Sequence, residues 1–320
     1  MPIKNLVFSG AEIRGISYIG IIRAIEELNM YDNIENILGV SSGAIFAVTL
    51  VLGLSSHQLE TIVMSLSIGQ LFDFKTENIL NIIETFGIDN GDKIIRIFKI
   101  LFKKILKNEN ATFKDLYHFT NKKKNLIITG TNLCKKKAEY FSYKTTPDMP
   151  LYIALRLSTS IPFCYQSVTY NNQVYIDGAF SNNFPINFFK SNIENTLGII
   201  ISGANECNEK IVSLGDYMYN ITECVLGIMP NYLKELYKKN IIEIKVNYTV
   251  LDMKFNRDVK KLLIEEGYNE FKNKYKQLFG DTTSNDTTIS EIRSITENVD
   301  DIIKDMNREI EKKTLVKDNH

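Results

Sequence analysis

The segment from Ile34 to Val51 constrains the fold more than any other part of this chain. An apolar run, Ile34–Val40, meets Gly39-Val40-Ser41-Ser42-Gly43 and passes directly into a helix start of small residues, Ala44–Val51. A strand that turns this sharply into a helix needs glycines on both sides of the turn, because side chains there would collide with the returning backbone. The preceding residues set the direction of that strand. Ile3–Phe8 reads as a first buried strand and about Gly15–Asn29 as a helix, so Ile34–Val40 becomes the second strand of a parallel strand–helix–strand unit. The turn also has the G-x-S-x-G pattern, which puts Ser41 at a helix N-terminus, where unpaired N–H groups and the helix dipole favour a developing anion. Gly39 and Gly43 are the elbow glycines, and Ser41 is the candidate nucleophile.

The remainder extends the α/β pattern. Asn125–Thr131, Thr196–Ser202 and Ile241–Val246 read as buried strands, Tyr140–Tyr143 as a weaker one, and Val174–Ile176 as a short strand ending at Asp177-Gly178. Leu59–Leu66, Ile94–Leu106, Leu151–Leu157, Leu214–Lys239 and Asn256–Leu278 read as helices, and Phe113–Phe119 as a short connector. Gly280–Thr288 is a polar linker, followed by apolar residues at Ile289, Ile292, Val299, Ile303, Met306 and Ile310. That near 3-4 spacing predicts an appended helix, packed back on the domain or paired with a partner. The expected organisation is therefore a domain over residues 3–280 and a C-terminal linker and amphipathic helix over 281–320.

Composition excludes several function classes. Thirty-eight basic residues balance 38 acidic ones, which argues against a nucleic-acid binder. Cys134, Cys164, Cys207 and Cys224 have no metal-ligand spacing and read as reduced thiols. The chain starts directly into Ile3–Phe8 without the pattern of a secretory signal, and no run of 18 apolar residues occurs. An intracellular protein, cytoplasmic or peripherally membrane-associated, is the expectation.

A serine nucleophile needs a base. The three histidines, His57, His118 and His320, sit at a helix start, in the presumed connector and at the last residue, so a conventional triad is disfavoured. Asp177 is the alternative: it ends a strand and is followed by Gly178-Ala179, which turns the chain and leaves the carboxylate at the strand edge. An Asp-Gly pair alone is a weak signal. It gains weight from its surroundings, Ser158-Thr159-Ser160-Ile161-Pro162 before it and Asn182-Asn183-Phe184-Pro185 after it.

With these blocks in view the chain resembles the patatin-like phospholipases, lipid acyl hydrolases with a Ser–Asp dyad, over roughly residues 3–275. The family's G-G-G-x-[RK]-G oxyanion block corresponds to Gly10-Ala11-Glu12-Ile13-Arg14-Gly15, its elbow to Gly39–Gly43, and its D-G-[GA] block to Asp177-Gly178-Ala179. The resemblance implies a three-layer fold with a central, mainly parallel sheet flanked by helices. It further implies that Ser41 attacks an acyl ester of a glycerolipid or phospholipid with Asp177 as general base, while backbone around Gly10 and Ala11 holds the oxyanion. That chemistry needs no metal or cofactor, and the sequence has no calcium-loop pattern. Two of the family's glycines are Ala11 and Glu12 here. The Glu12 carboxylate could lie beside the oxyanion, point to solvent or pair with Arg14, and a catalytically impaired scaffold that binds lipid or protein is the competing expectation.

Lys93–Lys107 is a cationic amphipathic segment with two readings, an interfacial helix that meets anionic lipid and a core-packed helix with a solvated basic face. Lys122-Lys123-Lys124 and Lys135-Lys136-Lys137 read as solvated loop charges.

Overall fold

A computed structural model describes residues 2–67, 84, 86–203, 211–246, 256–280 and 298–315. The first half comprises β1 (Asn5–Phe8), α1 (Ser17–Glu27), β2 (Asn36–Gly39), α2 (Ser42–Val51), α3 (Ser56–Ser65), β3 (Gly87–Asp89), α4 (Asp92–Leu106), α5 (Phe113–Phe119) and β4 (Asn125–Asn132). There follow β5 (Lys137–Ser142), α6 (Leu151–Ser158), β6 (Phe163–Tyr165), β7 (Val168–Tyr170), β8 (Gln173–Asp177) and α7 (Ala179–Asn182). The chain continues through β9 (Thr196–Gly203), α8 (Leu214–Leu236), β10 (Ile241–Val246), α9 (Arg257–Phe279) and α10 (Val299–Leu315). Most of the linker, Ile289, Ile292, Cys207 and His320 lie outside the described residues.

Five strands, in the order β10-β9-β1-β2-β4, pair in parallel. Their alternating side chains supply both faces, as a sheet covered on both sides requires. Leu6 and Phe8, Ile37, Leu126 and Ile128, and Leu197, Ile199 and Ile201 enter one core with α1, α2 and α9. Val7, Leu38, Ile127 and Ile200 enter a second core with Phe184, Ile186 and Leu233. The result is the expected three-layer arrangement with a mainly parallel central sheet.

β4 is the strand that places the site. Its residues Asn125–Ile128 pair in parallel with β2, and Gly130–Asn132 pair antiparallel with β8, while β5 lies antiparallel along Ile127–Asn132. Ile127 and Ile128 bond both β2 and β5, and Gly130–Asn132 bond both β8 and β5. β2 and β8 therefore share one edge of β4 and run toward each other. Gly39 is opposite Ile128 and Asp177 is opposite Gly130, so the two C-terminal strand ends meet.

Helix packing fixes the layer behind this sheet. A Cβ on Gly20 of α1 would overlap the Ile264 carbonyl oxygen of α9, and one on Gly267 of α9 would overlap the Ser17 carbonyl. The two backbones touch because neither helix carries a side chain at the crossing.

Two expectations change against the structure, and two that the sequence leaves open are decided. Phe113–Phe119 is a helix, closed by a reciprocal cap between Thr112 and Asp115, and its short length had masked the period. Lys124 is buried rather than solvated: its ammonium donates to the Tyr31 and Ile34 carbonyls at 2.5 and 2.6 Å. In α4, Phe98, Leu101, Phe102 and Ile105 are buried in the core, Arg96 bonds Glu309 at 3.0 Å, and Lys104 pairs with Asp305 at 2.8 Å. Those acids belong to α10, which buries Ile302, Met306 and Ile310. The appended helix thus packs back on the chain, against α4. Among the described residues no helix is long and apolar enough to cross a membrane.

The α1–α9 contact carries a stability prediction. Gly20→Val should cost about 2 kcal/mol or more through forced separation of the helices. Gly215→Ala at the start of α8, where a Cβ would meet nothing closer than 3.6 Å, should leave stability unchanged or slightly raised. Urea unfolding of the two variants measures the contrast; equal midpoints would contradict the contact.

Candidate active site

The turn from β2 into α2 holds Ser41 at φ 52°, ψ −126°, a conformation that non-glycine residues rarely adopt. Gly43 permits it, since a Cβ there would be driven into the carbonyl oxygens of Phe8 and Ser9 at the end of β1. Gly39 has the same need, its Cα lying against the Gly43–Ala44 backbone. The turn is braced by the Gly43 N–H donating to the Val40 carbonyl at 2.8 Å and the Ser41 N–H donating to Ser158 Oγ at 3.0 Å.

Asp177 reaches the same place from the other side. The Ser41 hydroxyl donates to Asp177 Oδ2 at 2.6 Å, across 136 residues of sequence, and both side chains are buried. The second carboxylate oxygen accepts the Ala179 N–H at 2.8 Å, made available by the turn at Gly178. The Asp177 backbone is pinned by its N–H to the Ser160 carbonyl at 2.9 Å and by its carbonyl, which accepts from Thr131 Oγ1 at 2.8 Å. Ser160 is held in turn by the Arg156 guanidinium. The end of α6 therefore positions both partners, Ser158 under the serine and Ser160 under the aspartate.

These groups open on a cavity of about 320 Å³ lined by Gly10, Ala11, Glu12, Arg14, Asn183 and residues of β9 and α8. Burial pushes the Asp177 carboxyl up to about 7, against the pull of the Ser41 and Ala179 hydrogen bonds, and the Glu12 charge adds to the rise. Glu12 is likewise pushed up to about 7, chiefly by burial and partly by Glu223, while Arg14 pulls it down. Among the described residues no histidine lines the cavity: His57 is exposed on α3 and His118 on α5.

Of the residues expected at the oxyanion, Gly10, Ala11, Glu12 and Arg14 line the cavity and Gly15 does not. Gly15 packs against Ser42, whose hydroxyl a Cβ would crowd. The Gly10 N–H donates to the Asn183 carbonyl at 3.3 Å, and the Ala11 N–H to Ser42 Oγ at 3.0 Å. Glu12 adopts φ 51°, the left-handed region that glycine would occupy without strain, and opens a 3-10 turn, Glu12–Ile16. Of its three alternatives the structure selects the pair with Arg14, 3.2 Å from Glu12 Oε2. Arg14 also approaches Glu223 of α8 at 3.8 Å. Sequence reasoning missed Tyr219, Glu223 and Lys234 as cavity residues, since only tertiary packing brings α8 over Ser41. It also missed Arg156, which carries no motif of its own.

Residues 6–190 match the family model described as patatin-like phospholipase, more than half of the chain, and include all three motif blocks. This chain belongs to the patatin-like phospholipase family. It is 30% identical over 269 residues to an uncharacterized protein of Acanthamoeba polyphaga mimivirus, covering 81% of this chain and 88% of that one. It is also 30% identical over 190 residues to a probable lipid hydrolase of Invertebrate iridescent virus 6, covering 57% of this chain and 62% of that one. VipD from Legionella pneumophila shares the fold, with a TM-score of 0.58 at 18% identity over 85% of this chain and 66% of VipD. Membership in this patatin-like family, with a lipid-hydrolase relative, supports lipid hydrolysis in general.

The buried aspartate has a pH signature in stability. Unfolded, it releases its proton near 3.8, whereas the folded chain holds it to about 7. Folding is therefore increasingly penalised as pH rises from about 4 to 7. Asp177→Asn removes the penalty, so thermal melts should place the variant above the parent at pH 8, with the lead gone near pH 4. A difference that is the same at both pH values would contradict the assignment.

Proposed function

We propose that this chain hydrolyses fatty-acyl esters of glycerolipids and phospholipids, as a calcium-independent serine hydrolase of phospholipase A type. The observation that carries the reading is the 2.6 Å hydrogen bond from the Ser41 hydroxyl to Asp177 inside a lined cavity. In this mechanism Asp177 takes the Ser41 proton as Oγ attacks the ester carbonyl. The proton then passes to the departing alcohol, leaving an acyl-Ser41. A water deprotonated by Asp177 attacks the acyl carbon, and collapse of that intermediate releases the fatty acid and restores the serine. An ordinary carboxylate is a poor base at neutral pH, and burial corrects this by raising its proton affinity. The N-terminal end of α2 stabilises the oxyanion, together with the cavity-lining loop Gly10–Arg14 once the Gly10 and Ala11 N–H groups are released from Asn183 and Ser42. A lipid surface is the natural source of substrate.

The engaged N–H groups of Gly10 and Ala11, together with the Glu12 side chain, favour a second reading in which the family chemistry is impaired and the chain serves as a lipid- or protein-binding scaffold. Glu12→Gly separates the two. A sharp rise in ester hydrolysis identifies Glu12 as a brake on an active site; no turnover in parent or variant favours the scaffold.

Two further outcomes are expected of the dyad. A fluorophosphonate probe should label the parent and fail on Ser41→Ala, and Asp177→Asn should lower kcat by about a hundredfold or more. Fatty-acid release that survives both substitutions excludes this mechanism. Since the base acts deprotonated, kcat/KM should climb with pH through about 7. Glu12→Gln removes a neighbouring negative charge and should move that limb to lower pH; an unmoved limb would show that Glu12 does not act on Asp177.

A further inference from the structure

We propose that the outward face of α8 is a docking surface for a lipid bilayer, holding the Ser41 cavity against its substrate. The proposal deepens the acyl-ester hydrolase reading and rests on it for the purpose of docking, although docking itself is measurable without turnover.

α8 presents a mixed side to the cavity and an apolar side to solvent. Its inner side supplies Tyr219, Glu223, Leu226, Pro230 and Lys234 to the cavity, and Leu233 is buried beneath it. Its outer side carries Tyr217, Ile221, Val225, Ile228, Tyr232 and Leu236, all between 41% and 65% exposed. At about 100° per residue these six fall within an arc of roughly 100°, a continuous stripe along the helix. Val212, just before the helix, is 83% exposed and adds to it. An ordinary surface helix turns charge to water. α9, also 23 residues long, turns the charged Lys261, Glu265 and Lys276 and the polar Asn269 and Asn273 to water. A contiguous apolar stripe on a helix that walls a cavity therefore calls for an occupant.

Three features select a bilayer over another protein chain. The stripe advances in steps of four, four, three, four and four residues, a mean of 3.8, so it drifts round the helix by about 20° per step, in the sense opposite to a heptad seam. A coiled-coil seam requires 3.5 and would wind away from this face. Tyr217 and Tyr232 have the apolar ring and polar tip that suit the headgroup boundary. Lys238 and Lys239, exposed directly after the helix, offer cations to anionic headgroups, while Glu235 is the one charged residue within the outer arc. Because the inner side of the same helix walls the cavity, docking would hold Ser41 about one helix diameter, roughly 10 Å, from lipid. α4 is unsuited to this role, its apolar side being spent on the core.

The test uses the full chain with Ser41→Ala, so that binding is read without turnover. It is mixed with vesicles of phosphatidylcholine alone or with about a quarter phosphatidylglycerol, and the bound fraction is measured by flotation. The chain should partition onto vesicles, more strongly onto the anionic ones. Ile221→Glu combined with Ile228→Glu should reduce partition at least about tenfold, and Lys238→Glu with Lys239→Glu should abolish the anionic preference. Fluorophosphonate labelling of the doubly charged variant with Ser41 intact reports that the site is still folded. If that variant does not fold, Ile228→Cys carrying an environment-sensitive dye, in a chain whose other cysteines are serine, replaces it, and a blue shift on vesicle addition is expected. The proposal is overturned if the parent fails to partition, if the charged variant partitions like the parent, if the dye does not shift, or if the parent is a dimer that the charged variant makes monomeric. Vesicle binding without ester hydrolysis would defeat the hydrolase reading and leave docking intact; hydrolysis of dispersed lipid by a chain that ignores vesicles would do the reverse.

Discussion

Two strands that approach each other along one edge of β4 account for the chemistry this chain can support. β2 delivers Ser41 and β8 delivers Asp177, and since both end within two residues of each other on the same rail, the hydroxyl and carboxylate are brought to 2.6 Å by backbone pairing. Side-chain flexibility contributes little to the encounter. The price is a buried carboxylate and a serine in a strained conformation, both held by the ends of neighbouring elements. Ser158 and Ser160, two residues apart at the end of α6, steady one partner each. Arg156 fixes that segment through the Asn90 and Gln166 carbonyls, so the short β3–β6 ladder also supports the site from a distance.

The cavity's electrostatics follow from what surrounds the dyad. Glu12 and Asp177 are two buried carboxyls within reach of each other's field, and only one cation, Arg14, contacts Glu12 among the described residues. The Glu12 charge raises the proton affinity of Asp177, whereas Glu12 itself is raised by burial and by Glu223. Arg14 is shared with Glu223, which makes α8 an electrostatic participant as well as a wall. The position taken by glutamate in place of the family's glycine is therefore paired, strained and protonatable near neutrality.

Much of this could be read from the chain because it is local. The elbow depends on five consecutive residues, and the parallel core depends on apolar runs whose two-residue alternation feeds both faces. Asp177 was legible for the same reason, as a strand end followed by Gly178. Glu12 was visible as a departure but not as a partner of Arg14, because three conformations fit the same letters. α5 was lost because seven residues give too few turns to reveal a period, although the Thr112–Asp115 cap marks its start. Lys124 read as one of three equivalent lysines, and only the fold reveals that carbonyls from the β2 approach enclose its ammonium. The cavity face of α8 had no signal at all, since the residues it covers lie far upstream.

The family match ends at residue 190, yet the sheet does not. β9 satisfies the whole free edge of β1, and β10 extends that edge by another strand. A fragment trimmed to the matched boundary would leave β1 with an unpaired row of N–H and C=O groups beside an uncovered apolar layer, a template for strand addition between molecules. The family signature thus covers less than the sheet, and expression trials guided by the signature alone would be expected to yield aggregates.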